Sequence, residues 1–257
     1  MHIPYLLGLA QKAALQAGKA ILEVYTSGDF GVEMKSDQSP LTLADKAAHA
    51  IIASQLQETG LPILSEEGSS ISYKDRKSWD YFWLIDPLDG TKEFIKRSGE
   101  FTVNIALVRS SIPVAGVIYA PYINILYYGS KGGVYKIEKG MQIQLPFIPK
   151  RRAIEELQEK EEITIVASKS HMNEETRAFN NQFRNANLTS MGSSLKLMLL
   201  AEGVADIYPR LAPTMEWDTA AGHAILRSLN RGVYQTDLQT ELLYNKEELL
   251  NPSFIAF

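Results

Sequence analysis

A short aromatic and β-branched run, Tyr81-Phe82-Trp83-Leu84-Ile85, stops abruptly at two carboxylates in Asp86-Pro87-Leu88-Asp89, followed by Gly90 and Thr91. A run of that length and composition suits a buried strand better than a helix. Proline fixes its own φ and keeps the preceding residue extended, which puts Asp86 at the strand's end. Gly90 permits a tight turn. Thr91 is expected to cap whatever begins at Lys92, leaving free backbone N–H groups aimed at the same spot as the carboxylates. Hard cations and a phosphate would both suit that spot. Asp-Pro-Leu-Asp-Gly also describes an ordinary surface turn, so only other parts of the chain can decide between the two.

Apolar spacing predicts an amphipathic helix over residues 5–25, with Leu6, Leu9, Ala13, Ala17, Ala20, Ile21 and Val24 inward and Gly28 beyond its end. A polar, hairpin-like stretch follows to Ser39. A second helix is expected from about Leu43 to Glu58, with Ala47, Ile51, Ile52 and Leu56 buried and Asp45 in its first turn, where the helix dipole favours a carboxylate. Leu61 to Ser65 reads as a short strand running into Glu66-Glu67-Gly68. Phe101–Val108, Val114–Tyr119, Ile125–Tyr128 and Gly133–Ile137 read as an antiparallel meander, punctuated by Gly, Pro, Asn and Ser. Charge-rich Lys150–Glu162 suggests a join between two lobes, residues 1–150 and 151–257, in one unit. Beyond it strands (Ile163–Ala167, Leu188–Met191, Ala205–Tyr208, Gly232–Gln235) alternate with helices (Asn173–Arg184, Ser193–Glu202, Asp218–Leu229), which indicates an α/β layer.

Several function classes are disfavoured. Without cysteine the chain has no disulfide, thiolate metal site or thiol nucleophile, which fits a reducing compartment. A net charge of -4 and a pI near 5.7 argue against a general nucleic-acid binder. No apolar run is long enough to span a bilayer, and Met1-His2-Ile3-Pro4-Tyr5 lacks the basic-then-apolar order of a signal peptide. A cytoplasmic place is expected, with peripheral contact to the inner membrane face left open. Neither G-x-G-x-x-G nor G-x-x-x-x-G-K-[ST] occurs, so nucleotide-cofactor and NTPase readings have no support.

Three acidic sites share one grammar: Glu66 follows a strand, Asp86 and Asp89 follow another, and Asp218 opens a helix after Met215-Glu216-Trp217. Taken singly, Asp218 could be a helix cap and Glu66 or Glu67 a solvated loop acid. Converging, such acids would repel strongly unless cations lay between them, and oxygen-only sites suit Mg²⁺. Leu64-Ser65-Glu66-Glu67, Trp83 to Thr91 and Trp217-Asp218-Thr219-Ala220-Ala221-Gly222 together resemble the signatures of the inositol monophosphatase superfamily. Lys92 to Arg97, Gly99 to Leu107 and Gly192-Ser193-Ser194-Leu195-Lys196 extend the resemblance to its CysQ branch of 3'(2'),5'-bisphosphate nucleotidases. The fold that this implies is mixed α+β and α/β, a layered αβαβα sandwich of the inositol monophosphatase and fructose-1,6-bisphosphatase type.

The resemblance implies Mg²⁺ as cofactor. Glu66 would be a ligand with Glu67 beside it, Asp86 would bridge two ions, Leu88 would offer its carbonyl, and Asp89 and Asp218 would complete the second position. Asp45 and Thr91 would help deprotonate the attacking water or hold a third, weaker Mg²⁺, and the Gly90 and Thr91 amides would hold phosphate. Two such metals serve both ends of an in-line displacement. The substrate implied is a small molecule, adenosine 3',5'-bisphosphate, with its 3'-phosphosulfate form left open. His171, Ser193, Lys196 and Arg210 would hold the nucleotide and the phosphate that is not cleaved. Inhibition by Li⁺ is a further implication. Inositol monophosphatases commonly place an acid seven positions before the aspartate of the Trp-Asp motif, where this chain has Leu211. An inositol or sugar phosphate phosphatase is the alternative enzyme, and a non-catalytic metal and phosphate sensor the alternative outside enzymes.

Overall fold

The run at Tyr81 is a strand buried on both faces, and its two faces serve different cores. Phe82 and Leu84 pack into one apolar cluster, Trp83 and Ile85 into another. Period-two alternation then makes this strand an interior layer of the fold. The computed structural model describes residues 1–35, 39–149, 153–167, 173–183 and 185–257.

The first half contains α1 (Ile3–Ser27), β1 (Glu33–Met34), β2 (Pro40–Leu41), α2 (Leu43–Leu56), β3 (Ile63–Ser65), α3 (Tyr73–Arg76), β4 (Tyr81–Asp89) and α4 (Thr91–Ile95). Next come β5 (Thr102–Arg109), β6 (Ile112–Ala120), β7 (Ile125–Ser130), β8 (Gly133–Glu138) and β9 (Met141–Gln144). The remainder is α5 (Ile154–Gln158), β10 (Ile163–Ala167), α6 (Glu174–Asn180), β11 (Ala186–Ser190), α7 (Leu195–Ala201), β12 (Tyr208–Arg210), α8 (Glu216–Ser228), β13 (Val233–Gln235) and β14 (Phe254–Ala256).

Strands β3 to β9 form one seven-stranded sheet in sequence order, antiparallel except for the parallel β3–β4 pair. One face carries α1 and α2: Ala10, Ala14, Ala17, Ile21 and Ile52 meet Trp83, Ile85, Val103 and Val117. The other face carries α8, which lies against it with almost no intervening side chain. A Cβ on Gly116 of β6 would stand 2.2 Å from the Ala221 carbonyl oxygen, so this position accepts only glycine at the present spacing. Behind α7 and α8 lies a second sheet, where β12, β14 and β13 pair antiparallel, β10 and β11 pair parallel, and an Ile165–Ile207 bridge joins the two groups. Its strands also alternate between cores: Phe254 and Ala256 face α8, while Ile255 and Phe257 face Leu157, Ile163 and Phe183. The result is the αβαβα sandwich expected. One apolar cluster, including Leu84, Ala106, Ile118, Leu197, Ala221 and Phe254, runs across both halves of the chain.

Several local expectations are corrected. Strand β4 does not end at Asp86 but continues to Asp89, because the chain re-enters register with β5 after a bulge. Thr91 does not cap α4: Gly90 takes that position at φ 94, and the Thr91 hydroxyl turns elsewhere. The buried stripe of α1 keeps the expected Leu6, Ala13, Ala17 and Ile21 but is shifted, with Leu7, Ala10, Ala14 and Tyr25 also inward and Leu9, Ala20 and Val24 at its margin. The stretch 150–162 holds the short helix α5, and the second-half helices are shorter than expected except α8, which starts two residues earlier.

Candidate active site

Asp86 and Asp89 reach the same face of the sheet through the bulge. In a regular strand, residues three apart point to opposite faces. Here Asp86 lies opposite Asn104 and Asp89 opposite Thr102, so β4 uses one residue more than β5 between the same two rungs. Asn104 and Thr102, two apart on β5, share a face, and both aspartates therefore look toward α8. Pro87 cannot donate to a ladder, which suits it to the irregular stretch, and Leu88 drops into the opposite core. The Leu88 amide donates to Asp86 Oδ1 at 3.0 Å.

Two more acids arrive from neighbouring elements. Glu66 follows β3, which lies parallel to β4, and its amide donates to the Ile85 carbonyl at 3.1 Å. Asp218 sits in the first turn of α8, where its Oδ2 accepts from the Met215 amide at 2.8 Å. It thus caps the helix and also faces the other carboxylates. Burial, then the neighbouring Glu66, Asp89 and Asp218 carboxylates, push Asp86 well above the usual carboxylate range. Burial, then Asp89, do the same to Asp218. Burial also raises Glu66 and Asp89, offset in part by Lys35 for Glu66 and by Lys196 and Ser194 for Asp89.

The Lys35 ammonium meets this cluster from beside the β1–β2 ribbon, 2.8 Å from Glu66 Oε1 and in contact with Glu67. Burial alone would lower its pKa, but the two glutamates more than reverse that. Among the described residues, no three His, Asp or Glu side chains close around one point as a ready metal cage. The donor chemistry nevertheless fits a hard divalent cation. It is all oxygen, largely withdrawn from water, and mutually repelling.

Asp45 and Thr91, from α2 and the start of α4, do meet. Thr91 Oγ lies 3.2 Å from Asp45 Oδ1 and 3.3 Å from the Leu88 carbonyl. Asp45 Oδ2 is taken by the Thr42 amide at 2.7 Å and the Thr42 hydroxyl at 2.5 Å, a capping box at the head of α2. Oδ1 is therefore the oxygen left for Thr91. Burial raises the Asp45 carboxyl above its usual value, which brings it closer to the range of a working base.

Beside the acids opens a cleft of about 160 Å³, lined among others by Asp89, Gly90, Ser193, Lys196, Arg210 and Asp218. Gly90 suits its left-handed turn and packs against the Glu100 carbonyl, 3.1 Å from where a Cβ would stand. Ser193 takes a left-handed backbone at φ 45, and its hydroxyl is buried without a hydrogen-bond partner among the described residues. Lys196 donates to the Ser193 carbonyl at 2.9 Å, and burial lowers its pKa against the pull of Asp89. Arg210 also lines the cleft, donating to the Pro213 carbonyl at 3.2 Å. Leu211, in place of the sugar-binding acid, only accepts through its carbonyl from Asn173. His171 lies outside the described residues.

Several contributors carried no assignment from the sequence. Lys35 stands in a polar stretch where nothing distinguishes it from a surface lysine. Asn104 and Thr102 did leave a trace, as polar residues inside the apolar run Thr102 to Val108. Glu93 and Glu100 also line the cleft.

Residues 5–254 match the Inositol monophosphatase family. The 3'(2'),5'-bisphosphate nucleotidase CysQ of Salmonella typhimurium is 42% identical over 244 residues, covering 94% of this chain and 95% of that protein. CysQ of Escherichia coli K12 is 41% identical over the same length and coverage. The crystal structure of CysQ from Bacteroides thetaiotaomicron superposes with a TM-score of 0.84 at 46% identity, covering 97% of this chain and 96% of that one. An inositol monophosphatase from Anabaena shares the fold at a TM-score of 0.74 and 23% identity.

Proposed function

This chain belongs to the inositol monophosphatase family, an enzyme family of phosphatases, and we propose that within it the chain is a Mg²⁺-dependent 3'(2'),5'-bisphosphate nucleotidase. It removes the 3'-phosphate of adenosine 3',5'-bisphosphate to leave AMP and phosphate. The observation that supports this best is the convergence of Glu66, Asp86, Asp89 and Asp218, from three separate elements, beside a cleft that Lys196 and Arg210 also line. An acidic cluster and two cations lining one cleft suit a substrate with two anionic groups of different roles.

In this reading Glu66, Asp86, Asp89, Asp218 and the Leu88 carbonyl hold Mg²⁺. The bound ions supply charge neutralisation at the phosphoryl group and activation of water. The chain's own residues do the rest. Thr91 Oγ passes a proton from the incoming water to Asp45 Oδ1, the one Asp45 oxygen not committed to Thr42. The Gly90 and Thr91 amides orient the phosphate to be cleaved. Lys196, Arg210 and the Ser193 hydroxyl receive the other phosphate, where charge-assisted hydrogen bonds are the stronger kind. His171 would join them, as the resemblance implies. The lobes 1–150 and 151–257 then divide the labour, the first carrying most of the acids and the second most of the substrate contacts.

The alternative, an inositol or sugar phosphate phosphatase, is disfavoured by Leu211 and Arg210, which supply no acid for sugar hydroxyls. Phosphate release measured side by side from adenosine 3',5'-bisphosphate and inositol 1-phosphate tests the choice. A higher kcat/KM for the bisphosphate is expected, and preference for inositol 1-phosphate overturns it.

A further inference from the structure

Ser194 occupies the N-cap position of α7, yet its hydroxyl makes no capping bond to that helix. Serine at this position ordinarily accepts from an amide of the helix's first turn. The Ser194 hydroxyl instead lies 2.8 Å from Asp89 Oδ2 and 2.8 Å from the Asp218 carbonyl oxygen. It also accepts from Asn104 Nδ2 at 2.7 Å, and the same Asn104 nitrogen reaches Asp89 Oδ2 at 3.3 Å. Asn104 is itself oriented, because its Oδ1 accepts from the Thr102 hydroxyl at 3.0 Å. Ser194, Asn104 and Thr102 are all buried. The left-handed backbone of Ser193 immediately before turns this hydroxyl inward, and positive φ away from glycine is held only where surroundings enforce it.

We propose that Ser194 is a positioning residue: its hydroxyl donates to Asp89 Oδ2 and, together with Asn104, fixes the orientation of the Asp89 carboxylate beneath the first turn of α8. Asp89 and Asp218 come from different layers, β4 on the sheet and α8 above it. A hydroxyl has a single proton, so Ser194 donates to one acceptor at a time, and the Asp89 carboxylate is the stronger of the two. Asn104 fills the lone pair that remains. Partners of this kind orient metal ligands, and their loss typically weakens metal binding about 10- to 100-fold.

The inference rests on Asp89 and Asp218 acting as Mg²⁺ ligands, and the test separates the two claims. Mg²⁺ binding is measured by calorimetry without substrate, on the wild type, Ser194→Ala, Asn104→Ala and the double variant, alongside thermal melting. Ser194→Ala is expected to weaken Mg²⁺ binding about 10- to 100-fold with a melting temperature close to wild type. Asn104→Ala should weaken it less, and the double variant should lose little more than Ser194→Ala, because both act through one carboxylate. Ser194→Cys keeps the volume and a weak donor, and should recover part of the affinity. If Ser194→Ala fails to fold, Ser194→Cys and Asn104→Ala decide. Wild-type affinity in the folded single variants overturns the positioning of Asp89 by Ser194 while leaving the ligand assignment intact. A wild type that binds no Mg²⁺ overturns both.

Discussion

Asp86 and Asp89 stand three positions apart on one strand and yet face the same way, because β4 fits one extra residue against β5 between them. Two carboxylates are thereby set side by side under α8, where Asp218 joins them, and their charges have to be accommodated together. The electrostatics follow from that geometry. An acid that is both buried and beside other acids favours its protonated form or a cation, and Asp86 is the extreme case here.

Replacing Asp86 with asparagine should therefore abolish phosphate release while the fold survives. Without added Mg²⁺ the variant should also melt higher than the wild type. Relief of about 1 kcal/mol would raise the midpoint by about 2–4 °C in a chain of this size. Differential scanning calorimetry with and without Mg²⁺ checks this. Near wild-type turnover from the variant would refute the role assigned to Asp86.

Thr91→Ala should lower kcat by about 10²- to 10⁴-fold, the usual contribution of a positioned proton acceptor or relay. KM should change little, since the hydroxyl serves Asp45 and the Leu88 carbonyl rather than Lys196 and Arg210. Thr91→Ser keeps the hydroxyl and should retain most of the activity. A variant series that moves KM and spares kcat would place Thr91 in binding instead.

Lys196→Ala should raise KM for adenosine 3',5'-bisphosphate more than for a 3'-mononucleotide. A hydrogen bond to a charged group contributes about 1.5–3 kcal/mol, or about a 10- to 150-fold change. Steady-state kinetics on the two substrates measure the difference. Equal effects would remove Lys196 from recognition of the second phosphate.

His49 gives the fold a pH dependence of predictable sign. Its ring bonds Ser65 Oγ at 2.9 Å beneath the Glu66 turn, and burial lowers its pKa despite the attraction of Glu67. The unfolded ring titrates near about 6.5. A lowered folded value means that the unfolded state binds more protons below that pH. The stability is therefore fully present above about pH 6.5 and is lost as pH falls through the folded value. The melting temperature of His49→Gln should fall less between pH 7.5 and pH 5.5 than that of the wild type. Parallel losses would show that His49 does not titrate on unfolding.

What could be read from the chain alone follows the physics of each residue. The strand at Tyr81, the helix at Leu43 and the acids Asp86, Asp89 and Asp218 were legible because local pattern and motif agreed. The bulge was not, since Pro87 suggests where a strand stops more strongly than where it resumes register. Lys35 gave no sign, because its partners lie more than thirty residues away and depend on the packing of the β1–β2 ribbon. Ser194 carried no role of its own in the sequence, and only the structure shows its hydroxyl bonded to Asp89 in place of a capping bond. The inward stripe of α1 was legible only in part, since a helix rich in alanine offers two neighbouring faces of similar hydrophobicity.

The most direct test of the account is where a divalent ion sits. Crystals grown with Mn²⁺ in place of Mg²⁺ give an anomalous signal at the metal alone. The account predicts peaks within coordination distance, about 2.0–2.2 Å, of carboxylate oxygens of Asp86, Asp89 and Asp218, with Glu66 drawn in. Peaks only elsewhere, with those four side chains free of metal, would contradict it.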